Sequence, residues 1–222
     1  MTQTLPLFPL GAVLCPGLVL PLHIFEDRYR RLVRDLLAGP EPRHFGVIAI
    51  REGRETGVNG VSALYEVGCF AEIREITDAE DGQYDLVTVG TQRFRLHGLD
   101  DSLPYLRGEV EALDEPVGDE AEAALLAAAV RRAFRSYLDV IAERGAAMIS
   151  VPELPSEPTL LSYLVAAAMI IDLPERQMLL DSPDAADRLK AERSLLAREI
   201  AMLRSLGSTP APELRSSPYS PN

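Results

Sequence analysis

A chain of 222 residues that is 47% hydrophobic can bury one generous core or two small ones. Its formal net charge of -12 repels phosphate backbones and anionic lipid, which disfavours nucleic acid and membrane surfaces as partners. No uncharged apolar run approaches the length of a membrane-spanning helix, and the first residues lack a basic segment ahead of the apolar run, so the expected location is cytoplasmic.

Leu5 to Ile24 is apolar but carries Pro6, Pro9, Pro16 and Pro21, which forbid a helix. Gly11 and Gly17 mark turns between short extended pieces, and the prolines confine those pieces to sheet edges or bulges. From Phe25 to Leu37 the period changes: Phe25, Tyr29, Leu32 and Leu36 fall on one helical face, and Gly39-Pro40 ends it. Phe45 to Ile50 reads as a buried strand, Gly53 to Gly60 as a loop, and Gly68 to Ile76 alternates as a half-buried strand. Asp81-Gly82 is a hairpin signal ahead of a strand at Tyr84 to Val89, and Arg93 to Leu99 and Tyr105 to Leu113 supply two more. Several short strands with Gly and Pro turns point to a small closed or partly closed sheet.

Near Glu115-Pro116 the pattern becomes helical. Asp119, with Glu122 three residues on, has the spacing of a capping box, and Leu126, Val130, Phe134, Tyr137 and Ile141 form one stripe up to Gly145. A second helix is expected from Pro158 to Ile171 and a short third one after Pro174. A last helix has Ser182 as N-cap and Pro183 at its first position. Its leucines at 189, 196 and 203 repeat every seven residues, the pattern of a helix-pair core; a homodimer seam would need more heptads. The expected organisation is a β-rich unit over residues 1–115, a helical bundle over 116–207 and a disordered Pro/Ser-rich tail over 208–222.

The chemistry-bearing patterns are missing. Lys190 is the sole lysine and has no Gly-rich loop ahead of it, so it is no P-loop lysine. Ser194 lies one turn away, but a solvated helix face explains that spacing better than a nucleophilic pair. There is no GxSxG elbow. His23, His44 and His97 match no metal-ligand spacing, Cys15 and Cys69 form no CxxC, and no pair of carboxylates stands out. The reading is a non-catalytic binding module with no cofactor and no metal.

The run LPLFPLGAVLCPGLVLPLHIFEDRYRRLV (Leu5 to Val33) resembles the opening of the Lon N-terminal domain family. FGVIAI, EVGCFAEIREI, DGQYDLVTVGTQRFRL and PYLRGEVEAL follow in the family's order, and Glu175 to Leu203 resembles its C-terminal helices, so the resemblance reaches to about Leu206. It implies an α+β fold, a PUA-like β pseudo-barrel followed by an α-helical bundle. It implies recognition of unfolded or tagged polypeptides, in a stand-alone form without the ATPase and protease modules, with an ATP-dependent protease as a further partner; monomer and dimer both stay open. Cys15 departs from the family, standing where many relatives carry an aromatic residue.

Recognition of exposed apolar segments needs an apolar surface with a few polar anchors. Within the matched motifs the candidate polypeptide-binding residues are Phe8, Leu10, Leu18, Leu20, Phe25, Arg28, Tyr29 and Arg93. Most of the apolar ones equally suit a barrel core. Arg93 is expected to pair with Glu26 or to present its guanidinium to a ligand. Two other functions compete. One is RNA binding, which would need a basic face built from Arg28, Arg30, Arg31, Arg34 and Arg43. The other is a small-ligand pocket in the barrel.

Overall fold

A computed structural model describes residues 2–53, 61–143 and 154–207. Seven strands precede four helices, and a fifth helix lies among the strands. The strands are β1 (Thr2–Leu10), β2 (Val19–Ile24), β3 (His44–Gly53), β4 (Val61–Leu64), β5 (Val67–Asp78), β6 (Tyr84–Asp100) and β7 (Arg107–Ala112). The helices are α1 (Asp27–Leu37), α2 (Glu120–Glu143), α3 (Pro158–Ala168), α4 (Leu173–Leu180) and α5 (Ala185–Gly207).

The sheet closes on itself. Neighbouring strands run β1-β7-β6-β5-β3, and β3 returns to β1, with β2 added on β6 and β4 on β3. Closure depends on β1 changing partner midway. Thr2 to Pro6 pair antiparallel with β7, and Leu7 to Leu10 pair in parallel with β3. At every point β1 therefore has one ladder only, and that is how it tolerates Pro6 and Pro9 inside a closed ring. The α+β pseudo-barrel with a C-terminal helical part is the fold that the family resemblance implied.

Several local expectations were refined. Tyr84 to Val89 and Arg93 to Leu99 are one 17-residue strand, β6. It holds β2 along its first half and β7 along its second. The handover occurs at Gly90, where the loop before β2 crosses: Gly17 N donates to the Gly90 carbonyl and Gly90 N donates to the Leu18 carbonyl, both at 2.8 Å. A Cβ on Gly90 would fall 2.3 Å from the Cys15 carbonyl oxygen. Gly90→Ala should therefore destabilise by about 1–3 kcal/mol, as overpacking against backbone does; chemical denaturation measures it. The hairpin signal at Asp81-Gly82 is a tight turn in which both residues have positive φ, 60° and 69°. The last barrel strand begins at Arg107 rather than Tyr105, and the Tyr105 hydroxyl donates to Asp35 of α1 at 2.9 Å.

In the helical half Asp119 accepts the Glu122 N–H at 2.8 Å, as its spacing predicts. The helix expected from Pro158 to Ile171, α3, stops at Ala168, where Met169 turns extended and Arg176 satisfies the carbonyls of Ala167 and Met169. The last helix starts at Ala185. Its cap is Asp184, which accepts the Asp187 N–H, and not Ser182, whose carbonyl is bound by Arg93. Leu189 and Leu196 are fully buried and Leu203 packs against the same core, which α5 shares with Leu126, Val130 and Phe134 of α2. The leucine repeat is thus an internal seam. The expected end of α2 at Gly145, most of the Gly53 to Gly60 loop and the tail from Ser208 lie outside the described residues.

A buried polar network joins barrel to bundle. Arg93 of β6 is 2% exposed; its Nε donates to Glu115 at 2.9 Å and its Nη1 to the carbonyls of Leu180 and Ser182 at 2.8 and 2.6 Å. Glu115 also accepts the Tyr163 hydroxyl at 2.5 Å, and Tyr163 in turn accepts from Arg188 at 2.9 Å. Gln177 of α4 donates to the Val67 carbonyl at 2.9 Å. Around these groups pack Cys15, Val67, Tyr163 and Leu180. The network orients the helices on the barrel, because a guanidinium fork satisfies several acceptors only in one geometry.

Candidate functional site

The end of β1, the end of β2 and the start of α1 meet around a cleft of about 130 Å³. Its floor is aromatic. The Phe8 ring stacks on Tyr29 with centroids 4.1 Å apart and planes at 26°, and Phe8 leans on Phe45 at 5.8 Å. The Arg28 guanidinium lies 4.5 Å from the centre of the Tyr29 ring. Such stacks hold rings rigid, so a ligand meets a preformed surface.

Pro9 and Leu10 form one wall, and Leu22, His23 and Ile24 the other. Phe25 sits at the mouth, in the link between β2 and α1. It is 55% exposed, which leaves a large aromatic side chain in water without a partner from the core. Its ring lies 6.2 Å from His23 and nearly parallel to it. His23 is fixed by Asp85, whose carboxylate lies 2.7 Å from Nδ1 and raises the histidine pKa. Glu26 contributes the acidic rim. It occupies the N-cap of α1, but its carboxylate accepts from Arg28 Nε at 3.0 Å instead of capping the helix.

The candidates therefore separate. Phe8, Leu10, Phe25 and Tyr29 are brought together in the cleft, and Arg28 buttresses the Tyr29 ring. Leu18 and Leu20 do not line the cleft; both are half-buried against the core cluster beneath it, and Leu18 also packs on the cluster around Cys15. Arg93 is elsewhere: its partner is Glu115 and not Glu26, and its donors are turned to internal acceptors at the barrel–bundle joint. Leu22 and Ile24 were not singled out from sequence, although they share strand parity with Leu20 and so fall on one face of β2.

The competing chemistries find little in the geometry. Arg28, Arg30, Arg31 and Arg43 hold Glu26, Asp27, Asp35 and Glu41 respectively, while Arg34 gives its Nε to the Arg30 carbonyl, so four of the five arginines weighed for a basic face are opposed by a carboxylate. The Ser194 hydroxyl donates to the backbone carbonyl of Lys190, and Lys190 itself points to solvent. Burial pushes the Cys15 thiol up to about 12 and raises Cys69 as well, so neither is poised as a thiolate. Among the described residues no group of three or more His, Cys, Asp or Glu side chains is placed to hold a metal, and no helix is long and apolar enough to cross a membrane.

The family model of the ATP-dependent protease La (LON) substrate-binding domain matches residues 4–198. A Lon protease of Anaeromyxobacter dehalogenans is 30% identical over 202 residues, covering 90% of this chain and 24% of the relative. The Lon protease of Escherichia coli K12 is 25% identical over 201 residues, covering 90% of this chain and 25% of its own length. The chain thus spans about a quarter of the length of the curated relatives it matches. Among solved structures, a Lon N-terminal domain protein from Xanthomonas campestris superposes with a TM-score of 0.61 at 28% identity, covering 88% of this chain and 98% of that one. The N-terminal domain of a Mycobacterium avium complex Lon protease reaches 0.66 at 18% identity, covering 90% and 98%, and at that identity speaks for the fold alone. Family match, fold and the order of the motifs together establish that this chain belongs to the LON substrate-binding domain family.

Proposed function

We propose that this chain is a non-catalytic polypeptide-recognition module that takes apolar segments of unfolded or tagged polypeptides into the cleft beside Phe25 and works in the cytoplasm with an ATP-dependent protease. The observation that carries this reading is the exposed Phe25 ring standing over a rigid Phe8–Tyr29 floor. Aromatic anchors beside a preformed apolar recess are where binding energy concentrates in protein interfaces. The family's description as a substrate-binding domain supports the same reading, as do relatives that are Lon proteases. RNA binding draws little support from Arg28, Arg30 and Arg31, which are held by carboxylates.

The test is fluorescence anisotropy of a labelled, permanently unfolded polypeptide titrated with the chain at low and high salt. Saturable binding that survives high salt is expected, because apolar contacts are not screened. Phe25→Ala should weaken it about tenfold, a loss of about 1.4 kcal/mol. Its thermal midpoint should stay close to wild type, since a solvent-facing substitution changes stability by no more than about 0.5 kcal/mol. Absence of binding at both salts would overturn the proposal, and binding that vanishes at high salt would replace it with an electrostatic partner.

A further inference from the structure

One carboxylate in this molecule is fully enclosed and has no hydrogen-bond partner. Glu192 lies at the centre of the buried face of α5, with 0% exposure and with both carboxylate oxygens lacking a donor. Arg188, one turn earlier on that face, is equally enclosed, but its donors are committed elsewhere. Nε serves the Leu179 carbonyl, Nη1 the Ser162 hydroxyl and Nη2 the Tyr163 hydroxyl, each at 2.9 Å. Arg188 and Arg93 also share one acidic partner, Glu115.

Among the described residues no hydrogen-bond donor reaches either oxygen of Glu192. The buried residues of α2 are all uncharged, and its half-buried Arg131 gives Nη2 to the Pro155 carbonyl while its Nε is enclosed without an acceptor. From α3 come Ser162 and Tyr163, and from α4 come Gln177 and Arg176, the latter bound to backbone carbonyls. From the barrel side Cys15 is near enough to respond to both Glu192 and Arg188. A carboxylate without donors in such a site is far costlier as an anion than as the neutral acid.

We propose that Glu192 is a proton-carrying latch on the seam that α5 makes with α2 and α3: it is a neutral carboxylic acid while α5 is docked and gives its proton to water when α5 separates, so that rising pH loosens that seam. This goes beyond polypeptide recognition at the Phe25 cleft and does not depend on it.

The direction of the effect follows from linkage. Burial raises the docked-state pKa of Glu192 well above the usual carboxylate value, against the opposing pull of Arg188. The docked state therefore binds more protons than the open one. The stability contributed by protonated Glu192 is fully present below the unfolded-state pKa and is lost as pH rises through the docked-state pKa.

Amide hydrogen exchange on the full chain between about pH 5.5 and about pH 8, corrected for intrinsic exchange rates, reads this directly. Wild-type α5 protection should fall by up to about tenfold per pH unit across that window, the slope for one proton released per opening, while β5 and β6 keep theirs. In Glu192→Gln, which keeps the shape and removes the titration, the slope should vanish and α5 should be better protected than wild type at the upper pH. A wild-type α5 without a pH slope would overturn the proposal, and that result needs no variant. An unchanged slope in Glu192→Gln would overturn it too. So would α5 protection below wild type at the upper pH, the mark of an ionised Glu192 paired with Arg188.

Discussion

Arg93→Ala should lower the free energy of unfolding by about 3–5 kcal/mol, the range for removing one member of a buried charged network. The side chain is 2% exposed and satisfies Glu115 together with the carbonyls of Asp114, Leu180 and Ser182. Truncation would leave three backbone acceptors buried and dry. Glu115 would keep Tyr163 and, at 3.9 Å, Arg188. Arg93→Lys should recover only part of the loss, because one ammonium cannot reach acceptors spread over two chain segments. Urea denaturation of both variants measures it; a loss below about 1 kcal/mol in Arg93→Ala would mean that water replaces the guanidinium and that the network does not hold the halves together.

Phe94→Ala should cost a comparable amount, about 3–5 kcal/mol, through the cavity it leaves in the barrel. The ring is fully buried and meets Phe70 edge to face at 5.2 Å. Two glycines clear its space: a Cβ on Gly46 would fall 2.9 Å from the ring and one on Gly68 would fall 2.4 Å from it. A second substitution, Gly68→Ala, should not restore stability, because the same Cβ would lie 2.5 Å from the Val47 carbonyl oxygen. Thermal unfolding followed by circular dichroism distinguishes the two cases. A double variant more stable than Phe94→Ala would show that the strand can shift enough to fill the hole.

What was legible in the sequence follows the range of the interactions concerned. The Asp119 cap and the Asp81-Gly82 turn are set by neighbours within a few residues and appear where the pattern placed them; the α1 face holds from Tyr29 to Leu36, but Phe25, expected on it, lies before the helix and is exposed. The stripe on α2 and the leucines of α5 were equally readable, since one buried face per helix suffices to write them. Arg93 was not. Its acceptors are 21 to 89 residues away and three of them are backbone carbonyls, which leave no mark on side-chain identity. The Ser182 cap failed for the same reason: the distant carbonyls of Pro116 and Val117 take the N–H groups of Ala185 and Ala186, the Ser182 hydroxyl turns back to Met178, and Asp184 starts the helix. At the cleft, Phe8 and Tyr29 suited either core or site in the sequence; both are buried in the core cluster and also line the recess. Glu192 gave no signal at all, since a glutamate amid alternating charges on a helix reads as solvated.

The midway change of partner in β1 also dictates an order of assembly. Its second half can pair with β3 once residue 49 has been synthesised, but its first half waits for Glu111 opposite Thr2. During elongation the first half of β1 is therefore an unmatched strand while about a hundred residues emerge behind it. Pairings between such distant segments are the slow steps of folding, and unmatched strands are where nascent chains stick to one another. Pro6 lies in that waiting half, and a residue with no N–H to donate interrupts the ladder a neighbouring nascent chain would need. The ring thus closes last at its own beginning, with a safeguard against premature pairing already written into the strand.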